Sequence, residues 1–171
     1  LSRGRLLEYD FETTANTDLT GSGYDYIMSG TPQISTAGGL PNSPGALRLT
    51  PNNYIYTDMT PTEDVSISFW FRPDADFTTG SFFQWGRSSI TPTGEGYPFM
   101  LIKKDASNWK FYVDGNYRLD VPSDKISVRK WHHIAMIKNR NQYQIFIDGE
   151  LNGDPELLIP ENAPDTMQAT Y

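Results

Sequence analysis

The sequence predicts an all-β protein, built as a two-sheet antiparallel β-sandwich of the jelly-roll type. Three observations predict this fold. Apolar and polar residues alternate along Val65–Phe71, which is the period of a half-buried strand. Many other short strand-like segments follow one another at even spacing, with polar turns between them. No window of about 11 or more residues shows the apolar period of a helix.

The predicted strands follow from local composition. In Val65–Phe71 the apolar residues at odd positions share one face, so Trp70 points to the other face. Pro73 ends the segment, because proline has no N–H to donate to a sheet ladder. The other predicted strands are, in chain order, Leu6–Phe11, Ala46–Leu49, Tyr54–Thr57, Ser81–Trp85, Phe99–Lys103, Trp109–Val113, Tyr117–Val121, Trp131–Lys138, Gln142–Ile147 and Glu156–Ile159.

Between these segments lie residues typical of hairpin turns, since Gly and Asn tolerate a positive φ. Such turns are predicted at Asp105–Asn108, Asp114–Asn116, Asn139–Asn141 and Asp148–Gly149. The N-terminal part of the chain is looser, with loops rich in Gly, Ser, Thr and Asn around a short Tyr24–Met28 segment.

Length, charge and composition exclude several classes of protein. At 171 residues the chain is expected to form one domain, spanning residues 1–171. It has no cysteine, which excludes disulfide scaffolds, zinc fingers and cysteine nucleophiles. With 14 basic and 21 acidic residues its formal net charge is −7, and no basic cluster indicates a nucleic-acid partner. No apolar run reaches the roughly 18 residues of a membrane span.

Six sequence segments occur in an order that is typical of one known family. They are Leu7–Glu12, Asp18–Gly23, Gly45–Leu49, Ile67–Pro73, Trp131–Ala135 (Trp-His-His-Ile-Ala) and Tyr143–Leu151, which contains Ile-Asp-Gly. Over residues 6–151 the chain resembles the laminin-G-like, concanavalin A-like jelly-roll domains. We expect a single such domain, as part of a longer protein. That family closes with a C-terminal strand, which is not evident here. Either the sandwich lacks its last strand and residues outside the chain complete it, or the resemblance ends there.

A carbohydrate-binding surface is predicted around Trp70. The Trp70 side chain shares its strand face with two serines and Arg72, so its ring would form an open platform on which a sugar can stack. The predicted ligand-binding residues are Trp70, Trp85, Arg87, Trp109 and Tyr112, with Lys110 as a further hydrogen-bond donor. The alternative is that Trp70 is buried beneath a loop as a second core layer. Trp131 is expected in the core.

Glu8, Asp10 and Glu12 form a Glu-x-Asp-x-Glu pattern that resembles the catalytic pattern of retaining β-glucanases on the same fold. On a strand the two glutamates would lie about 13 Å apart, whereas a retaining glycosidase needs about 5–5.5 Å between its carboxylates. The pattern also lies on the first predicted strand, whereas those glucanases carry it on a central cleft strand. We therefore expect a protein that is not an enzyme and has no catalytic residue. A retaining β-glucanase that uses this trio is the third hypothesis.

Calcium, in a structural role, is the one cofactor that the sequence suggests. Asp10, Asp18 and Asp25 lie in or near the loop after the first predicted strand, and carboxylate oxygens from loops suit this ion. The alternative is ordinary turn capping by aspartate. His132 and His133 are adjacent on a strand and point to opposite faces, so they are expected to form a packing motif and not a metal site.

These features favour a non-catalytic carbohydrate-binding or adhesion module of a larger exported or virion-surface protein. Its expected partner is a glycan or cell-surface polysaccharide, and its expected location is extracellular, on a cell surface or on a virion surface. The second hypothesis is a structural or protein–protein module that docks other protein domains through the exposed edge of the first strand, Leu6–Phe11. Neither a nucleic-acid partner nor membrane insertion is expected. The fold alone does not choose among these functions.

Overall fold

The computed structural model describes residues 4–5, 7–59, 64–74, 80–85, 100–104, 108–113, 116–139 and 142–153. The chain divides into two compact units, Leu1–Met59 and Thr60–Tyr171, which we name the N-terminal unit and the C-terminal unit. Apart from a 3₁₀ turn at Ser123–Lys125, every regular element in the described ranges is a β-strand, which confirms the all-β class. None of the described segments is a helix long and apolar enough to cross a membrane. The single domain over residues 1–171 stays a prediction.

The N-terminal unit contains two small antiparallel sheets. Its strands are β1 (Ile27–Ser29), β2 (Gln33–Ser35), β3 (Ala46–Arg48) and β4 (Tyr54–Tyr56). Strand β1 pairs with β4, and β2 pairs with β3.

An aromatic cluster accompanies these sheets in the N-terminal unit. The Tyr26 side chain is buried, and its ring centroid lies 5.0 Å from that of Tyr9 and 5.6 Å from that of Phe11. Among the described residues of this unit, Tyr26 is the only large apolar side chain that is fully buried.

The C-terminal unit is built from two four-stranded antiparallel sheets. Its strands are β5 (Val65–Phe71), β6 (Gly80–Trp85), β7 (Met100–Lys104), β8 (Asn108–Val113), β9 (Asn116–Pro122), β10 (His132–Asn139), β11 (Gln142–Ile147) and β12 (Glu150–Asn152). One sheet has the strand order β12-β11-β10-β5, and the other has the order β6-β7-β8-β9.

Apolar side chains from both four-stranded sheets, with Ile126 after the 3₁₀ turn, pack together into one core. The buried members are Val65, Phe71, Trp109, Phe111, Val121, Ile126, Ile134, Met136, Ile145 and Ile147. Along β10 a buried residue alternates with a half-buried one, because successive side chains of a strand point to opposite faces. The predicted two-sheet sandwich is therefore confirmed, with one face of each sheet turned to the core.

Most predicted strands agree closely with the observed ones. The predicted bounds Val65–Phe71 and Gln142–Ile147 are the observed bounds of β5 and β11. Asp148 (φ 52°) and Gly149 (φ 85°) connect β11 to β12, so the predicted hairpin turn is confirmed. The predicted strand Glu156–Ile159 lies outside the described residues, and so do turn residues 105–107, 114–115 and 140–141.

The first predicted strand, Leu6–Phe11, is wrong. Residues 7–11 form no strand. The φ of Phe11 is 57°, which a continuous strand does not allow. The Glu8 N–H donates to the Asp18 carboxylate at 3.1 Å and not to a neighbouring strand. The strand edge that the docking hypothesis required is therefore not formed by residues 7–11.

Candidate functional site

The outer face of the β12-β11-β10-β5 sheet carries an exposed aromatic residue. Trp70 is 51% exposed, while the adjacent Phe71 of β5 is buried in the core. The sheet register places His133 of β10 directly opposite Trp70. The ring centroids of these two residues lie 5.0 Å apart, with an angle of 49° between the planes. Trp70 points away from the core as predicted, and it is not a second core layer.

A second pair of side chains continues this face. The guanidinium carbon of Arg72 lies 5.4 Å from the centroid of the Trp131 ring, which is a cation–π distance. Arg72 Nε also donates a hydrogen bond to Asp74 Oδ1 at 3.2 Å. Trp131 was expected in the core, and this prediction is wrong: Trp131 is half-buried and lies beside Arg72. We name Trp70, Arg72, Trp131 and His133 the aromatic face.

The other predicted ligand-binding residues lie in different environments. Contrary to the prediction, Trp109 is a core residue, since it is 1% exposed and its ring centroid lies 5.7 Å from that of Phe71. Because side chains alternate along β8, Trp109 points into the core between the two sheets. Tyr112 is half-buried and lies on the opposite face of the same strand. Trp85 is the last residue of β6, and Arg87 lies outside the described residues.

Beside the aromatic face, His132 and Asp148 link the ends of β10 and β11. The buried His132 ring donates from Nδ1 to Asp148 Oδ2 at 2.8 Å, and its Nε2 accepts from the Ser127 N–H at 3.0 Å. An amide N–H can only donate, so these hydrogen bonds assign the ring proton to Nδ1. The His133 N–H donates to Asp148 Oδ1 at 2.8 Å. One carboxylate therefore fixes the backbone that carries His133.

The electrostatics of this link favour an ionised Asp148. Burial alone would raise the pKa of this carboxyl group, but the His133 amide and the His132 imidazole outweigh burial and hold the pKa below its usual value. The packing role expected for both histidines is confirmed for His132, which is buried and hydrogen-bonded to Asp148 and Ser127. His133 is half-buried and lies on the outer face beside Trp70.

In the N-terminal unit, Asp18 holds the first long loop. Its buried carboxylate accepts hydrogen bonds from the amides of Glu8, Thr20 and Ser22 at 3.1, 3.0 and 3.2 Å. Burial alone would raise the pKa of Asp18, but these donors and the Thr20 hydroxyl outweigh burial and lower the pKa. The Asp18 N–H in turn donates to Asp25 Oδ1 at 2.8 Å. Both aspartates therefore act as caps of the loop backbone.

Each of the three predicted calcium ligands accepts at least one backbone N–H in this way. Asp10 Oδ1 accepts the Glu12 N–H at 3.0 Å, which is also a turn cap. These contacts support the turn-capping alternative for the three aspartates. Within the described part of the chain, no group of three or more His, Cys, Asp or Glu side chains could hold a metal ion. A structural calcium on Asp10, Asp18 and Asp25 stays a prediction.

The glutamates of the Glu-x-Asp-x-Glu pattern have separate structural partners. Glu8 forms an ion pair with Arg5. Glu12 accepts hydrogen bonds from the Ser43 hydroxyl and, at 3.1 Å, from the Gly45 N–H. Since residues 7–11 form no strand, the single-face arrangement on which the glucanase hypothesis was based is absent from these residues.

Sequence reasoning missed His133 and Trp131 as members of the aromatic face. The signal was present, because odd positions in Trp131–Ala135 share one side of a strand and Ile134 is apolar enough to mark the other side as the core. What the sequence did not supply was the register that places His133 against Trp70.

Two stacked antiparallel sheets with an aromatic outer face define a lectin-like β-sandwich protein. The chain belongs to the Concanavalin A-like lectin/glucanases superfamily, whose laminin-G-type family model matches residues 47–169, most of the chain. The predicted family is therefore confirmed. None of the curated proteins searched is detectably similar in sequence.

A solved structure with a similar fold is domain 4 of AbnA, a GH43 extracellular arabinanase from Geobacillus stearothermophilus, in complex with arabinotriose. The TM-score is 0.61 at 16% sequence identity, and the match covers 90% of this chain and 78% of that chain. At this identity the similarity concerns the fold.

Proposed function

We propose that this chain is a non-catalytic carbohydrate-binding module of a larger exported protein. The observation that carries the proposal is the exposure of Trp70, 51%, on the outer face of a sheet. Trp70 does not stand alone there, because His133 contacts its ring and Trp131 with Arg72 follows on the same face. Aromatic surface bordered by a few polar groups is the usual composition of a small-molecule site.

The aromatic face offers both kinds of contact that a sugar requires. The indole of Trp70 presents a flat apolar surface for the C–H face of a sugar ring. The Arg72 guanidinium and the His133 imidazole can hydrogen-bond to sugar hydroxyls, and so can the hydroxyl of the exposed Ser68 on the same strand face. The β5–β10 ladder fixes Trp70 and His133 before any ligand arrives, which lowers the entropic cost of binding.

Two further findings support the proposal. The family includes lectins, and the similar domain of the Geobacillus arabinanase was solved with a bound arabinotriose. The glutamates of the glucanase-like pattern, Glu8 and Glu12, are engaged by Arg5 and by Ser43 and Gly45, which favours a module without catalysis. An exported location belongs to the same proposal, because structural polysaccharides lie outside the cell.

Substitution of Trp70 tests the proposal directly. The protein is screened by affinity electrophoresis in gels that contain linear arabinan, xylan, mannan, galactan or mixed-linkage β-glucan. We expect retardation by at least one of them, and a fall in affinity of about tenfold or more in Trp70→Ala, which corresponds to about 1.4 kcal/mol. Val128→Ala, which shortens another exposed apolar side chain of the same unit, should bind as the wild type does.

Two outcomes decide the question. Undiminished binding by Trp70→Ala would exclude the aromatic face as the ligand site, and no retardation by any of these polysaccharides would count against the function itself. The same gels with a chelator test the calcium prediction, because a structural ion on Asp10, Asp18 and Asp25 requires that binding or stability change when the ion is removed.

A further inference from the structure

A second exposed aromatic surface lies in the N-terminal unit. Tyr54 and Tyr56 of β4 are 53% and 45% exposed, and they share one strand face because they are two residues apart. Their ring centroids lie 6.0 Å apart, with an angle of 47° between the planes. Ile27 of β1, 43% exposed, is paired with Tyr56, and Ser29 is paired with Tyr54. We name these four residues the tyrosine strip.

The shape of the tyrosine strip suits an extended polymer. Residues two apart on a strand are about 6.8 Å apart along the chain, and the 6.0 Å between ring centroids shows that the two tyrosine rings lean towards each other. That separation is comparable to the length of one sugar residue in a polysaccharide chain. Two neighbouring rings can therefore each stack on one of two consecutive sugars.

The size and chemistry of the strip also argue against a protein partner. A stable protein–protein interface buries about 800 Å² on each side, far more than two tyrosine rings and Ile27 present. Each tyrosine combines an apolar ring with a hydroxyl that both donates and accepts hydrogen bonds, which fits a ligand rich in hydroxyl groups.

Charge narrows the class of polysaccharide. The four residues of the tyrosine strip are uncharged, and the chain has a formal net charge of −7. The net negative charge of the protein repels an anionic polysaccharide, and the four residues of the strip have no positive charge to offset that repulsion. A neutral polysaccharide is therefore the ligand that the strip fits.

We propose that Tyr54 and Tyr56 form a second carbohydrate-binding site, which takes two consecutive sugars of a neutral polysaccharide. This inference extends the proposed function, since it gives the chain a site in the N-terminal unit in addition to the aromatic face of the C-terminal unit. Two sites of modest affinity on one chain raise the avidity for a repeating polymer wherever the polymer reaches both.

The test counts sites with a short ligand. The neutral polysaccharide that retards the wild type in the gel screen is cut to its trisaccharide, and isothermal titration calorimetry gives the number of trisaccharides bound per chain. We expect two for the wild type, one for the Tyr54→Ala/Tyr56→Ala double variant, one for Trp70→Ala and none for the triple variant. In gels, the double variant should lose affinity for the polymer by about tenfold or more, because a second engaged site can raise avidity by well over this factor.

Matched variants separate binding from folding. Both tyrosines are about half exposed, so their removal leaves no core cavity, and the unfolding midpoint should stay at the wild-type value. Met28→Ala removes an exposed apolar side chain on the opposite face of the same two-stranded sheet and should retain both sites. Phenylalanine at both positions keeps the rings and should restore most of the binding.

The outcomes distinguish this inference from the proposed function. If the tyrosine double variant binds as many trisaccharides per chain as the wild type, the inference of a site at the tyrosine strip is overturned, while the proposed site on the aromatic face is unaffected. Loss of a site in the double variant but not in Trp70→Ala would support the strip and exclude the aromatic face. Failure of the wild type to bind any neutral polysaccharide would contradict both. A wild-type dimer that the double variant converts to a monomer would identify the strip as a protein contact and overturn the proposal.

Discussion

Each of the two units is stabilised internally by a different kind of interaction. In the C-terminal unit, buried side chains such as Phe71, Phe111 and Ile134 come from both four-stranded sheets and form a continuous apolar core. In the described residues of the N-terminal unit, the buried side chains are those of Tyr26 and Asp18, and the strands are three residues long. There, carboxylates bonded to backbone N–H groups take over the role that apolar packing has in the other unit.

This difference shows which perturbation each unit resists. Apolar burial does not depend on the charge of any group, so the C-terminal unit is sensitive above all to lost side-chain volume. Hydrogen bonds to an ionised carboxylate contribute more than neutral ones, but they require the charge. The N-terminal unit should therefore be the more sensitive of the two to acid and to the removal of single polar atoms.

The largest effect should come from a cavity in the C-terminal core. Ile134 is 0% exposed in the centre of β10. Ile134→Ala is expected to lower the free energy of unfolding by about 2–5 kcal/mol, and Ile134→Val by about 0.5–1.5 kcal/mol. Urea unfolding followed by tryptophan fluorescence measures both. If Ile134→Ala lowers the free energy of unfolding by less than the range expected for Ile134→Val, then Ile134 does not lie in a close-packed core.

An intermediate effect is expected at Asp18. In Asp18→Ala the amides of Glu8, Thr20 and Ser22 lose a charged acceptor inside the loop, at an expected cost of about 1.5–3 kcal/mol. Hydrogen exchange of these amides is the sharpest measurement, and their protection should fall while that of β10 amides stays unchanged. Asp58→Ala, at an exposed position of the same unit, is the control. Equal loss of protection in both units would contradict their separate stabilisation.

The pH dependence of the Asp18 effect has a definite sign. The pKa of Asp18 is lower in the folded protein than in the unfolded chain. Its contribution is therefore complete above the unfolded value of about 3.9 and is lost as the pH falls through the folded value. The stability difference between wild type and Asp18→Ala should be constant near neutral pH and shrink in acid. A difference that grows on acidification would show that Asp18 is not ionised in the folded loop.

The contrast between the units also explains what could be predicted from sequence. In β5 and β11 the alternation is long enough to set the bounds, and the hairpin residues Asp148 and Gly149 are diagnostic by themselves. Strands β1 and β2 were not predicted: each has three residues and lies in the part of the chain that is rich in Gly, Ser, Thr and Asn. Strands β3 and β4 are equally short but fall within the predicted segments Ala46–Leu49 and Tyr54–Thr57. The failure at residues 7–11 has a specific cause: the apolar residues of that segment pack as a cluster of rings with Tyr26, while side-chain oxygens bind the backbone.

The site was less predictable than the fold because it depends on register. The alternation along β5 predicts the direction of the Trp70 side chain correctly. The prediction that Trp109 binds ligand together with Trp70 was wrong because it disregarded a second alternation, in which Trp109, Phe111 and Val113 share one face of their own segment. Alternation within that segment alone places Trp109 on the core side. That Trp70 meets His133 depends on the pairing of two segments that are more than sixty residues apart, and no local pattern encodes such a pairing.

The smallest effect is expected for Asp148→Asn, in which an uncharged amide replaces the carboxylate that binds the His132 ring and the His133 N–H. Asparagine tolerates the φ of 52° as aspartate does, and its oxygen can still accept the His133 N–H. Its amide would then donate to His132 Nδ1, and the ring proton would move to Nε2, within 3.2 Å of the Ser127 carbonyl oxygen. Asp148→Asn should therefore cost about 1 kcal/mol or less at neutral pH.

The decisive measurement for Asp148→Asn is the histidine tautomer. Nitrogen-15 spectra of the imidazole should show the His132 proton on Nδ1 in the wild type and on Nε2 in the variant. Because the wild-type pKa of Asp148 is lowered, the small stability advantage of the wild type is present above the unfolded pKa and disappears in acid. Trp70 and His133 should keep their contact, so glycan binding should survive. Loss of binding without a change of tautomer would show that Asp148 acts on the aromatic face by a route other than the backbone of β10.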